Sequence, residues 1–97
     1  MEKKYFAMKL IPGRPTFAFD MTPEERAIMQ LHVAYWHEWM AKGKILIFGP
    51  VMDPNGPYGF GVLQMDNEEE IKSFIAGDPS NTINTFEYYP MRAVVKG

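Results

Sequence analysis

One helix with both of its ends marked constrains this chain more than any other feature. Thr22-Pro23-Glu24-Glu25 is a helix start. Thr22 is a cap, Pro23 fits the first turn, and Glu25 sits where a capping box needs its acid. Lys42-Gly43 is the stop, because glycine accepts the left-handed conformation that ends many helices. At about 100° per residue, Ile28, Leu31, His32, Tyr35 and Trp39 share one stripe. This puts a histidine on the face turned toward the core, where it is either a satisfied structural group or a proton-handling one.

The chain has 97 residues, which predicts one domain spanning its whole length. A domain of this size buries only about 65% of the surface its unfolded chain exposes, so a partner that covers more surface adds stability. Apolar residues make up 46% of the chain and aromatic ones 14%, a globular composition. The net charge is −2 and no basic cluster is present, so nucleic acid is not an expected partner. There is no cysteine, which excludes disulfides, thiol catalysis and thiolate metal sites and fits a reducing compartment. No apolar run long enough for a signal peptide or a membrane span follows Met1-Glu2-Lys3-Lys4. The expectation is a soluble cytoplasmic protein with no membrane partner.

Along the chain, Tyr5 to Ile11 is a strand candidate with Phe6, Met8 and Leu10 on one face. Gly13 to Asp20 is a loop broken by Gly13 and Pro15. After the helix, Lys44 to Phe48 is a nearly continuous apolar run, the pattern of a strand buried on both faces. Gly49 to Gly59 is a loop turning at Pro54-Asn55-Gly56, and Phe60 to Met65 is the next strand. Asp66 then reads as an N-cap with Glu69 at the capping-box position. The second helix, Asn67 to Ala76, ends at Gly77. Asp78-Pro79 opens an irregular turn. Thr85 to Val95 is the last strand, and Pro90 within it argues for an edge or a bulge.

The order strand, helix, strand, strand, helix, strand is the ferredoxin-like β-α-β-β-α-β pattern: an α+β fold with an antiparallel sheet and both helices on one face. Right-handed crossovers put the first and third strands in the middle. The other face of the sheet is not polar. Tyr5, Ala7 and Ile11 oppose Phe6, Met8 and Leu10, and Ile45 and Ile47 oppose Leu46 and Phe48. Left in water, that face is a large apolar patch. A two-fold homodimer packed through the open sheet face is the simplest remedy.

At these residues the chain resembles the YCII-related family. The resemblance lies in the run from His32 through Tyr35 and Trp36 to Gly43, then Phe48-Gly49-Pro50, Asp78-Pro79, and Tyr89-Pro90-Met91. It covers the chain from about Thr22 onward. It implies a dimeric α+β barrel built from ferredoxin-like halves and a site that pairs His32 with Asp78. It also implies small-molecule lyase or isomerase chemistry, such as the dehydrochlorination of chlorinated hydroxyquinols. Ser80 and Asn81 follow Asp78-Pro79 where relatives often carry a bulky or apolar residue, which bears on the substrate more than on the pair.

Imidazole takes and gives protons near neutrality. A carboxylate bonded to one ring nitrogen fixes the tautomer and leaves the other nitrogen for a substrate. Against that stands a buried histidine bonded to a backbone carbonyl, with Asp78 merely capping the turn that Pro79 begins. His37 lies about 140° around the helix from His32, so the two rings cannot share one metal. No metal site and no cofactor is expected. The glycines of Gly49 to Gly61 do not form a phosphate loop, since the Gly-Lys-Ser/Thr ending and a following helix are missing. They form a hairpin connection or a flexible rim in which Tyr58 and Phe60 take part, with Pro50 in a cavity wall. Tyr35, Trp36 and Trp39 are core aromatics, though the Tyr35 hydroxyl lies one turn from His32 and within reach of a cleft. The eight methionines suit adaptable packing. Arg14 is the candidate partner of an anionic substrate and is otherwise a solvated loop charge. Tyr35, Pro50, Ser80 and Arg14 are therefore the candidate substrate-binding residues around His32 and Asp78.

Three functions stay open. The first is a cofactor-free lyase or isomerase acting on a small molecule, in which His32 moves a proton and Asp78 orients it. The second is a non-catalytic dimeric module that binds a ligand or a protein. The third, by fold analogy alone, is a haem-handling or monooxygenase-type protein.

Overall fold

The computed structural model describes residues 4–96; Met1-Glu2-Lys3, part of the start expected to carry no signal peptide, lies outside them. The elements are β1 (Lys4–Pro12), α1 (Phe17–Asp20), α2 (Pro23–Ala41), β2 (Ile45–Val51), β3 (Tyr58–Met65), α3 (Glu68–Gly77), a 3₁₀ turn (Pro79–Thr82) and β4 (Asn84–Met91). They form one antiparallel sheet in the order β2-β3-β1-β4. The first and third strands are central and both long helices cover one face. This is the ferredoxin-like α+β arrangement that the element order predicts.

The long helix begins and ends as its sequence dictates. The Thr22 side chain accepts from the Glu25 N–H, and the Glu25 carboxylate accepts from the Thr22 N–H, closing the capping box. At the other end Gly43 has φ of +80°. Its N–H donates to the Met40 carbonyl, and the Lys44 N–H donates to the Trp39 carbonyl. That pair of bonds is a Schellman closure.

The core is built from Phe6, Met8 and Leu10 of β1, Leu63 and Met65 of β3, Ile45 of β2, Ile71 and Phe74 of α3, and Trp36 of α2. The buried line of α2 differs from the expected stripe. Leu31 is 60% exposed while Trp36 is 1% exposed. The helix rests on its His32–Trp36 edge, one turn apart, and this roll carries Leu31 out to solvent.

Four further expectations are corrected. Lys44 to Phe48 is not part of a strand buried on both faces. β2 is an edge strand, shifted in register between Ile45 and Ile47, and it leaves Leu46 and Ile47 exposed. The loop from Gly13 to Asp20 contains α1, which buries Phe17. The cap of α3 is Asn67, whose side chain accepts from the Glu70 N–H, rather than Asp66 with Glu69. Glu70 sets this register, because its carboxylate binds both the Asp66 N–H and Lys44. The last strand also stops at Met91, short of Val95. Pro90 lies on β4, an edge strand, where its missing N–H is harmless.

The Trp36 ring rests directly on the β3 backbone. A Cβ built on Gly61 stands 2.6 Å from Trp36 Cζ3 and 3.3 Å from Phe48 Cβ. Gly61→Ala is therefore expected to overpack the core and lower stability by about 1–3 kcal/mol. Urea unfolding measures this, and a change within about 0.5 kcal/mol would show that the ring is free to shift.

Candidate functional site

The site is made where α2 meets the turn after α3. Pro79 disfavours a helical conformation for the residue before it, so the chain leaves α3 at Asp78 in an extended conformation. The Asp78 side chain then lies beneath α2. One of its oxygens accepts the Ser80 N–H at 2.8 Å, and the other accepts the Trp36 indole N–H at 2.7 Å. His32 Nδ1 lies 2.9 and 3.0 Å from the two oxygens. Ser80 Oγ lies 3.2 Å from the same ring nitrogen. The capping role of Asp78 and its pairing with His32 thus coexist in one carboxylate.

Burial pushes the Asp78 carboxyl upward. The hydrogen bonds from His32, the Ser80 N–H and the Trp36 indole outweigh it, and the group titrates below the ordinary carboxylate range. Asp78 is thus a carboxylate at neutral pH, and it accepts. The hydrogen of a neutral His32 ring therefore sits on Nδ1, which leaves the Nε2 lone pair unspent. Nε2 has no hydrogen-bond partner among the described residues, and no sealed side-chain nitrogen or oxygen there lacks one. Nε2 is therefore not sealed, and the residue that carries it lines a cavity.

That cavity has a volume of about 290 Å³. Its walls are Phe17, Met29, Trp36, Phe48, Pro50 and their apolar neighbours, with Asn84 as a polar addition; the Tyr58 ring turns to the other face of the sheet, 4.3 Å beneath Lys9 Nζ. Of the residues expected at the site, His32 and Pro50 line the cavity, while Asp78 and Ser80 stand buried behind the ring. The Tyr35 hydroxyl is turned away and donates to the Phe74 carbonyl at 2.8 Å. Arg14 lies in a neighbouring groove with Lys9, Asp53 and Tyr58. Its guanidinium forks onto Glu25 at 2.8 and 2.9 Å and reaches Asp20 at 2.8 Å. Phe60, expected at the rim, is on the opposite face of the sheet.

Sequence reasoning missed two members of the site. Composition and pattern assign Trp36 to packing alone, although its spacing of four from His32 stacks the two residues on one face. Asn84 gave no local signal, since its place depends on the pairing of β4 with Pro12 of β1.

The Arg14 fork has a pH signature. It holds the Glu25 carboxyl down at about 2, with help from the Thr22 N–H, against an ordinary value of 4.5. As pH falls through that window the unfolded chain takes the proton first. The contribution of Glu25 to stability is thus whole above the ordinary value and lost on the way down to about 2. Glu25→Gln is expected to flatten this acid limb of the thermal stability curve, and an unaltered limb would remove the fork from the account.

A ferredoxin-like sheet with a buried His–Asp pair backing an apolar cavity defines a compact α+β class of protein. The chain belongs to the YCII-related family, whose domain matches residues 6–94. No curated protein matches it in sequence. Among solved structures it is similar to the 5-chloro-2-hydroxyhydroquinone dehydrochlorinase of Burkholderia phenoliruptrix AC1100 in complex with 2,5-dihydroxybenzoquinone. The TM-score is 0.65 at 16% identity, with 93% of each chain covered. An uncharacterized protein from Thermotoga maritima is similar at a TM-score of 0.52 and 16% identity, covering 94% of this chain and all of the other. At such identities the likeness is one of fold. No helix among the described residues is long and apolar enough to cross a membrane. No group of three or more His, Asp or Glu among them could hold a metal ion.

Proposed function

We propose that this protein is a cofactor-free lyase or isomerase of small cyclic compounds, a single domain working as a homodimer in the cytoplasm. One observation carries the catalytic reading: His32 is fixed through Nδ1 by a carboxylate and lines an apolar cavity, with no partner for Nε2 among the described residues. In that setting Nε2 takes a proton from an acidic carbon or hydroxyl of the substrate. The imidazolium that forms is balanced by the Asp78 carboxylate, which stays ionised. Return of the proton to another atom completes an isomerisation. Departure of a leaving group with its bonding electrons, as a double bond forms, completes an elimination. The dehydrochlorinase of like fold has a name that describes such an elimination; fold alone does not assign a reaction, and the paired ring is what favours this one.

The test is turnover in deuterated water, followed by proton NMR on hydroxylated rings with and without a halogen. Proton exchange or halide release that depends on His32 is expected. A ligand that binds in the cavity and stays unchanged across the series would favour the non-catalytic binding module instead.

The homodimer rests on the uncovered sheet face, where Ile47, Phe60, Tyr89 and Met91 are exposed together. Sedimentation at micromolar concentration is expected to show a dimer, and Ile47→Glu with Tyr89→Glu to release monomers. A wild-type monomer at that concentration overturns the pairing.

A further inference from the structure

The cavity wall carries no Lys, Arg, Asp or Glu. The one ring able to become a cation, His32, already has its counter-charge in Asp78, 2.9 Å away. A ligand anion entering this space gives up its water and meets no uncompensated positive charge, which is strongly unfavourable in an apolar enclosure. Arg14 does not help, since it faces the neighbouring groove with its fork already occupied by Glu25 and Asp20.

Two polar groups on this wall have hydrogen-bonding capacity left over. One is His32 Nε2, from α2. The other is the side-chain amide of Asn84, from β4. Its Nδ2 has only the Met29 thioether, at 3.6 Å, and a thioether is a weak acceptor. Its Oδ1 has no partner among the described residues, and it is not sealed. An amide left so nearly unspent in an otherwise apolar space is a recognition group, because it both donates and accepts. The aromatic rings of Phe17, Trp36 and Phe48 supply flat walls, while the Tyr58 ring lies across the sheet beneath Lys9. The volume of about 290 Å³ is at the lower end for ligand cavities, which span about 300–1,000 Å³.

We infer that Asn84 is a specificity-determining residue, and that the cavity selects small uncharged rings bearing hydroxyl or carbonyl groups at two positions over organic anions of the same size. This rests on the reading of the His32 cavity as the ligand site. The amide holds one oxygen of the ring and Nε2 meets the other. A carboxylate or phosphate on the ring is refused by the missing cation.

The test uses hydroquinone and benzoate as probes on the full chain, followed by NMR of the Asn84 side-chain amide and the histidine rings. Hydroquinone is expected to shift the Asn84 amide and the His32 ring together, and benzoate to bind at least about tenfold more weakly. Asn84→Leu, and Asn84→Ala in case the leucine disturbs β4, are expected to weaken hydroquinone about tenfold while its effect on His32 persists at saturation. Equal binding of benzoate overturns the exclusion of anions, wild-type affinity in both variants with His32 still responding overturns the role of Asn84, and either leaves the His32 site standing. A His32 ring that responds to neither probe overturns both.

Discussion

His32→Asn is expected to lower turnover by about 10²–10⁴-fold, the usual loss when a positioned general base is removed. Asparagine is the informative replacement. Its amide nitrogen falls near the place of Nδ1, so the bond to Asp78 survives and the buried carboxylate keeps its donors. What vanishes is Nε2, the one ring atom with no partner among the described residues. The loss should therefore fall on kcat more than on stability. His32→Gln places its amide further out and should disturb the Asp78 bond while losing the base as well. Thermal unfolding beside the exchange assay separates the two effects. Full activity in a folded His32→Asn protein would take the ring out of the mechanism.

The ends of α2 were legible in the sequence because their chemistry is local. Thr22, Glu25 and Gly43 act within one turn of themselves, and each does in the fold what its spacing predicts. Strand order was legible too, because connection handedness leaves few topologies for six elements. What failed to show was anything set by one element resting on another. Leu31 and Trp36 both fit an apolar helix face, and only the roll of α2 on the sheet decides between them. Ile45 to Phe48 reads as a doubly buried strand until the sheet order places it at an edge. Asp66 and Asn67 are both competent caps, and Lys44 chooses between them by drawing Glu70 into position. The site divides the same way. A histidine on a buried stripe is a local fact. Its partner lies 46 residues away, and no spacing rule links the two; family resemblance supplied that pairing. Asn84 joins only through β4 pairing with β1, and the indole N–H of Trp36 only through the turn at Pro79.

Asp78→Ala is expected to lower stability by about 3–5 kcal/mol, as removal of one member of a buried charged network does. The Trp36 indole, the Ser80 N–H and His32 Nδ1 all lose the acceptor they share. With about 4–8 °C of melting temperature per kcal/mol in a domain of this size, the shift should exceed about 10 °C. Asp78→Asn separates structure from chemistry. One amide oxygen replaces two carboxylate oxygens, so part of the network survives and the cost should be nearer about 1–3 kcal/mol. Yet the amide can donate to Nδ1, which drives the ring hydrogen onto Nε2 and leaves no lone pair facing the cavity. The asparagine variant should thus be folded and nearly as inactive as one without His32. The two variants also differ from wild type in acid. The native Asp78 carboxyl titrates below its ordinary value of 3.8, so the unfolded chain binds the proton first as pH drops. Its contribution to stability is complete above that ordinary value and disappears as pH falls through the lower native one. Both variants should lack this loss, which makes their deficit against wild type smallest at the acid extreme. An Asp78→Ala protein within about 0.5 kcal/mol of wild type would mean that water replaces the carboxylate as acceptor. Full activity in Asp78→Asn would mean that Nε2 keeps its lone pair without a carboxylate behind the ring.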